Sequence, residues 1–353
     1  MNFVSNTAQQ GGPADTGALP GQPRAGGGQA GETLTRVGRA FLRQRESTVF
    51  VVAVALFIYF AVNSSSFVTS TNLPILFTQD SAPYIIIALG EVFLLICGEI
   101  DLSVGFTYAL APYLMYYLIT YDHVPGLLAI LIALLMGVVI GWINGFLTVT
   151  VGLPSFITTL GTGFVILGIV QTTSHGEPVT VPTDVAGAQH WLGGNWAPFI
   201  WAVVLTIIMH IVLTRTRWGL HTVSVGGNQL GAREAGINVN RIKYGNFMLT
   251  GLLGALVGVQ NAFVTSSIDP TAGGYLPMFY AVTAAVIGGT AMLGGTGTVV
   301  GAFLGAIVIG MLTDGFIILG VSANPLPIIF GGAVLVAMIA NVQLARLRAR
   351  GAQ

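Results

Sequence analysis

Residues Arg215–Lys243 read RTRWGLHTVSVGGNQLGAREAGINVNRIK and separate two long stretches that lack any basic residue. The segment is too polar to cross a bilayer. It carries Arg215, Arg217, Arg233, Arg241 and Lys243, and Lys243 is the chain's only lysine. No Lys or Arg occurs from Glu46 to Thr214 or from Tyr244 to Ala345. The other basic residues precede the first apolar run (Arg24, Arg36, Arg39, Arg43, Arg45) or end the chain (Arg346, Arg348, Arg350). Cytoplasmic loops of membrane proteins concentrate Lys and Arg. The two termini and the central segment are therefore expected on the cytoplasmic side, joined by even numbers of spans.

Working outward, runs of spanning length lie before the segment at about 47–63, 74–97, 102–120, 125–150, 154–171 and 196–214. Others follow it at about 244–266, 277–292, 297–320 and 325–342. A bilayer core takes roughly 20 apolar residues per helix. The parity is satisfied by about ten spans, or by about eight if two segments are re-entrant. Several runs are interrupted by Gly and Pro and are expected to be broken or re-entrant. The fold class is an all-α polytopic membrane protein.

Composition agrees. Of 353 residues, 54% are apolar and 7% charged, with no formal net charge. An average soluble chain carries about 25% charged residues, so the main solvent here is lipid. A neutral chain offers no field for phosphates, which argues against nucleic-acid binding. Cys97 is the single cysteine, so neither a disulfide framework nor a thiolate cluster is available. No Gly precedes Lys243, so the chain has no phosphate-binding P-loop. His and acidic residues do not cluster near Ser or Thr, so no catalytic residue is assigned. His210 and His221 lack a carboxylate or Cys at ligand spacing, so no metal site is assigned either.

Residues 1–31 are rich in Gly, Ala, Pro and Gln and read as a disordered cytoplasmic tail. Residues 32–46 place Leu34, Val37, Phe41 and Leu42 at helical spacing among arginines. That suits an interfacial amphipathic helix, or equally an extension of the first span. Residues 47–342 form the transmembrane domain, with 215–243 as its cytoplasmic insertion, and 343–353 form a basic cytoplasmic tail. The longest outer loop runs from Thr172 to Asn195 and either meets a soluble partner or is anchored by Trp191 and Trp196. Segments Ala88–Gly105 and Val286–Gly301 share an apolar, small-polar, apolar order that hints at an internal repeat.

The sequence Gly98–Gly105, GEIDLSVG, places two carboxylates between apolar runs. A charge at the centre of a span costs roughly 3 kcal/mol on the insertion scale, so the chain is expected to break here, near the cytoplasmic side. Asp101 is placed to cap a helix beginning at Leu102. A proton or cation site made by Glu99 and Asp101 is the sharper alternative. Glu91 and Asp314 lie inside spans without a basic partner there. They are either protonated, bonded to Ser, Thr or Asn of a neighbouring helix, or exposed to a watery path. Within Arg215–Lys243, Asn228 is a good N-cap for a short helix from Gln229 to Ala235, with Gly236 closing it. Such an element is either a docking helix for a soluble partner or an ordinary structured loop.

GEIDLSVG resembles the GGIDLSVG signature of permease subunits of bacterial ABC importers for simple sugars, the ribose/xylose/galactose group. GGNQLGAREAGINVNRIK resembles the coupling segment of that family. INGFLTVTVGLPSFITTLGT (143–162) and VIGGTAMLGGTGTVVGAFLGA (286–306) look like further family blocks. The resemblance implies a multi-pass subunit of the bacterial plasma (inner) membrane, paired with a second permease copy. It implies a cytoplasmic ATPase with two nucleotide-binding domains and an extracytoplasmic solute-binding protein. ATP and Mg would be bound by the ATPase, with no cofactor in this chain, which is not itself an enzyme. The coupling residues would be Asn228, Gln229, Ala232, Arg233, Glu234, Gly236 and Ile237. The signature turn would be Glu99, Asp101, Ser103 and Gly105. Glu99, Gly231 and Glu234 depart from the usual family residues, which bears on the substrate more than on the class.

A sugar path needs amides, hydroxyls and aromatic faces in an apolar wall. The candidates are Asn144, Phe156, Thr159, Thr162, Asn246 and Asn261, followed by Thr158, Phe164, Gln171 and Gln260. Each also reads as helix packing or interhelical hydrogen bonding. Two other functions fit the residues: an ion-coupled secondary transporter using the intramembrane carboxylates, and an ABC permease for a nucleoside, a branched-chain amino acid or a signalling furanose.

Overall fold

The computed structural model describes residues 46–321, 327–332, 335, 336 and 339. The expected tail 1–31, most of the interfacial helix 32–46 and the basic tail 343–353 lie outside these residues.

The described chain is almost entirely helical. The elements are α1 (Glu46–Asn63), α2 (Ala82–Ile96), α3 (Val104–Thr120), α4 (Gly126–Gly145), α5 (Ser155–Ser174), α6 (Ala186–Gly193), α7 (Ala197–Arg215), α8 (Arg217–Gly227), α9 (Gln229–Glu234), α10 (Val239–Thr265), α11 (Tyr275–Ile287) and α12 (Val299–Ile318). Asn72–Pro74 and the π-helical turn Ile75–Gln79 lead into α2, and a second π-helical turn, Phe146–Val151, extends α4. The sheet consists of β1 (Val179–Thr180) and β2 (Ser267–Ile268), paired antiparallel with Val179 opposite Ile268.

Among the described residues, seven helices are long and apolar enough to cross a membrane. The first nine expected runs each coincide with a helix, and the tenth is helical wherever it is described. The structure thus has the all-α polytopic architecture expected from the sequence. Helices that are apolar all round must be buried or face lipid, and burial tells the two apart. The span containing α2 is 78% buried and that of α10 is 67% buried, whereas α1 is 22% buried. Helices α2 and α10 form the centre. The core holds the fully buried Ile85, Ile86, Ile87 and Phe93 of α2 together with Leu253 and Val257 of α10.

Small residues allow these helices to approach closely, as in membrane packing generally. A Cβ on Gly137 of α4 would lie 2.4 Å from the Gly251 carbonyl oxygen of α10, and one on Gly141 would lie 2.2 Å from that of Phe247.

Helix α11 is a half-span. The Tyr113 hydroxyl donates to the Ile268 carbonyl at 3.2 Å, whereas the Gly274 amide donates to the Gly105 carbonyl at 2.8 Å. The chain therefore descends about 12 Å along α3 between β2 and the start of α11. With 13 residues, α11 is about 20 Å long and cannot cross a core of about 30 Å. Glycine and proline in the preceding loop, IDPTAGG, make this break possible.

Candidate functional site

Three stretches of backbone meet at the end of the bundle that carries the central basic residues, called the basic end below. They are Ile96–Gly98 after α2, Gly226–Gly227 ending α8, and Gly294–Gly295 between α11 and α12. The Gly295 amide donates to the Ile96 carbonyl at 2.8 Å. A Cβ on Gly226 would sit 1.6 Å from that same oxygen and 2.8 Å from the Gly295 nitrogen. No side chain other than hydrogen fits there.

After Gly98 the chain turns back into the bundle. Glu99 and Asp101, two residues apart, take different surroundings. The Lys243 ammonium donates to Glu99 Oε1 at 2.6 Å at the edge of the bundle. Asp101 is fully buried. Its Oδ1 accepts from the Ser103 amide at 2.8 Å and from the Ser103 hydroxyl at 2.6 Å. The Asn144 amide group of α4 donates to both Asp101 oxygens at 3.3 Å and to Ser103 Oγ at 2.7 Å. Two hydroxyls of α5 take the remaining amides: Leu102 donates to Thr159 Oγ1 at 3.0 Å and Ile100 to Ser155 Oγ at 3.4 Å. An extended backbone inside a membrane protein needs such partners. Asp101 accepts from the Ser103 amide at the start of the next helix, as the expected cap requires, although regular α3 begins at Val104, two residues later than expected. Gly105, the last residue of the signature turn, accepts from Gly274. Glu91 lies fully buried one helical turn inside α2, and its Oε2 accepts from the Asp101 amide at 3.5 Å. Asp314 accepts from Asn72 Nδ2 at 2.8 Å.

The central segment folds into α8 and α9. Asn228 Oδ1 accepts from the Gly231 amide at 2.9 Å and so caps α9. At its other end Gly236 has φ +79°. The Ile237 amide donates to the Ala232 carbonyl and the Gly236 amide to that of Arg233. This is a Schellman closure, with Ile237 packed on the cluster that buries Ala232. Asn238 then caps α10 through the Arg241 amide at 3.0 Å. Ala232 faces inward, while Gln229, Leu230, Arg233 and Glu234 are exposed. Helix α9 thus presents the polar and charged Gln229, Arg233 and Glu234 together with the apolar Leu230 at the basic end.

The remaining path candidates are scattered. Asn144 and Thr159 belong to the shell around Asp101. Asn246 is buried, donates to the Phe93 carbonyl at 3.2 Å and accepts from Trp218 Nε1 at 2.9 Å, so it fastens α8 and α10 to α2. The Thr162 hydroxyl donates to the Thr158 carbonyl on its own helix. Phe156 is exposed on the outer face of α5. Asn261 lines a small recess with Thr78, Gln79 and Gln260. A cavity of about 340 Å³ lies where α11 begins, lined by Phe106, Gln171, Thr271, Gly273 and Tyr275 among others. The Phe106 and Tyr275 rings meet edge to face at 4.8 Å. A larger apolar cavity of about 420 Å³ lies at the opposite end among Trp191, Trp196 and Trp201, a placement typical of interfacial aromatics.

Sequence reasoning missed the Glu99–Lys243 pair, the Trp218–Asn246 bond and the lining residues Phe106 and Tyr275. The first had a signal. The only lysine and the one acidic departure from the signature turn were expected at the same end of the molecule. The other two had none, because nothing local in the sequence links them.

Over residues 74–339 the chain matches the family described as branched-chain amino acid transport system / permease component. It is 35% identical over 308 residues to the xylose/arabinose import permease protein of Sulfolobus acidocaldarius, covering 84% of this chain and 85% of that protein. It is 34% identical over 294 residues to the ribose import permease protein of Bacillus subtilis, covering 82% and 90% of the two chains. Over 311 residues it is 31% identical to the ribose import permease protein of Escherichia coli K12, covering 86% and 95%. No solved structure matches it. These relatives do not favour the ion-coupled alternative. Membership of this family implies partnership with a separate ATPase, which hydrolyses the ATP, and with a binding protein. The chain belongs to the family of multi-pass permease subunits of ABC importers.

Proposed function

We propose that this chain imports a monosaccharide, with a pentose as first choice, by alternating access. Two copies, or this chain and a similar one, form the path. A binding protein delivers the sugar from outside, and an ATPase with two nucleotide-binding domains holds ATP and Mg on the cytoplasmic side. The chain sits in a bacterial plasma membrane with both termini and α9 in the cytoplasm. The sugar assignment draws on the relatives, which are named for xylose/arabinose and ribose. The coupling assignment draws on one observation, the capped and exposed α9 beside the glycine crossing. Asn228, Gln229, Arg233 and Glu234 meet the ATPase directly, while Ala232, Gly236 and Ile237 hold the helix in place.

The crossing links α9 to the path. Helix α8 ends at Gly226–Gly227, which touches both Ile96–Gly98 and Gly294–Gly295. A displacement of α9 therefore moves the ends of α2 and α11 together. Helix α11 starts at the 340 Å³ cavity, which falls within the range of small-molecule sites and combines aromatic faces with an amide side chain. Phe106, Gln171 and Tyr275 are the residues assigned to the passing sugar.

The test is uptake of radiolabelled pentoses into vesicles holding the permease, its ATPase and its binding protein. ATP-dependent uptake, competed by unlabelled pentose and not by leucine or adenosine, is the expected result. Uptake that needs no ATPase would overturn the proposal, as would competition by leucine or adenosine alone.

A further inference from the structure

The turn between α11 and α12 carries an exposed tip beyond its glycine crossing. It is closed by the Ala291 amide donating to the Thr296 carbonyl at 2.9 Å and the Gly294 amide donating to that of Ala291 at 3.2 Å. Gly294 and Gly295 have φ of +89° and +81°, which only glycine adopts without strain. At its tip stands Leu293, 89% exposed, the most exposed large apolar side chain among the described residues.

A lone exposed leucine needs no explanation, but this one has three attributes that together call for one. First, its turn is rigidly tied to the molecule, through Gly295 to the Ile96 carbonyl and against Gly226 and Gly227. Second, it stands at the basic end, where its neighbour Met292 packs back on the core and the rest of the turn is Ala, Gly and Thr. Third, it borders the segment that carries α9, where Leu230 is 68% exposed. A side chain held on a pre-formed turn loses little freedom when it is covered.

We propose that the Ala291–Thr296 turn is a second docking element for the ATPase, with Leu293 entering an apolar pocket of that subunit. The turn meets Gly226 and Gly227, which lead through Asn228 into α9, so this inference rests on the coupling role given to α9 above. Two contacts flanking the glycine crossing would grip the ATPase on both sides of the point where α2, α8 and the turn meet. A push on either contact would then reach the same three backbones.

The experiment uses the full chain in lipid nanodiscs, with and without its ATPase. Leu293→Cys is treated with a membrane-impermeant maleimide. The native chain serves as blank, since Cys97 is buried. Rapid labelling of the permease alone and labelling slowed about tenfold or more in the complex are expected, since a covered thiol reacts only while the contact is open. Equal labelling in both states overturns the proposal and leaves the coupling role of α9 standing. Slow labelling of the permease alone also overturns it, and assigns Leu293 to lipid. A wild-type chain that retains no ATPase overturns both readings together. As a second variant, Leu293→Glu should weaken ATPase retention about tenfold while leaving the melting temperature unchanged. Retention equal to wild type would contradict the proposal.

Discussion

Two parts of the molecule solve the same problem with different materials. In each, a helix ends in a Schellman closure and the chain turns back into a second helix. Helix α2 closes with Gly98 and Glu99 donating to Leu95 and Leu94, and α11 closes with Gly289 and Thr290 donating to Val286 and Ala285. The return helices begin near short hydroxyl residues, Ser103 and Thr298. Between the helices the two differ. The first turn is buried and held by side chains of α4 and α5 around Asp101. The second is half-buried with an exposed tip at Leu293 and is held by bare backbone against Ile96 and Gly226. The first should therefore fail when an acceptor is lost, and the second when a Cβ is gained.

The largest effect is expected at the crossing. Gly226→Ala would place a methyl group 1.6 Å from a carbonyl oxygen and should cost about 3 kcal/mol or more, since neither backbone can yield. Gly227, the next residue, has open space beside its Cα, and Gly227→Ala should stay within about 0.5 kcal/mol of wild type. Thermal unfolding in detergent compares the two. Equal losses would mean that the backbones do not cross as described.

Asp101→Ala should come next, at about 2–3 kcal/mol. It removes the acceptor of the Ser103 amide, the Ser103 hydroxyl and Asn144, all of them buried. Asp101→Asn keeps one carbonyl oxygen and should recover part of the loss. An Asp101→Ala protein that melts with the wild type would show that water, not the carboxylate, satisfies the turn.

Glu99→Gln should cost about 1–2 kcal/mol, because the pair with Lys243 is largely shielded from solvent. A double-mutant cycle with Lys243→Met measures the coupling directly, and a coupling near zero would make the contact incidental. Asn228→Ala should be the mildest, at about 1 kcal/mol of local helix stability. It is best read by hydrogen exchange of residues 229–235, and unchanged exchange there would deny the capping role.

Much of this was legible beforehand, for physical reasons. The class followed from a charge distribution that no soluble surface could carry. The cap at Asn228 and the closure at Gly236 are local chemistry, written within one helical turn of themselves, and both stand where the sequence places them. Asn144 and Thr159 were singled out as polar residues inside spans. The structure gives them to the Asp101 turn, because inside a membrane protein a buried carboxylate takes any nearby donor, here Asn144, and an unpaired backbone amide any nearby acceptor, here Thr159. The half-span α11 was legible only as an interruption. Its depth depends on Gly274 reaching Gly105, far away in sequence. The glycine crossing was invisible for the same reason. Two glycine pairs and a lone glycine in a glycine-rich chain look like any others until the backbones are placed side by side.

Co-purification tests most directly whether α9 is the seat of the ATPase. The chain is expressed with its candidate ATPase, extracted in mild detergent and compared with an Arg233→Glu, Gly236→Pro double variant. Wild type should retain the ATPase, and the variant should lose it while its permease still elutes as a folded species. Retention of the ATPase by a folded double variant would contradict the account.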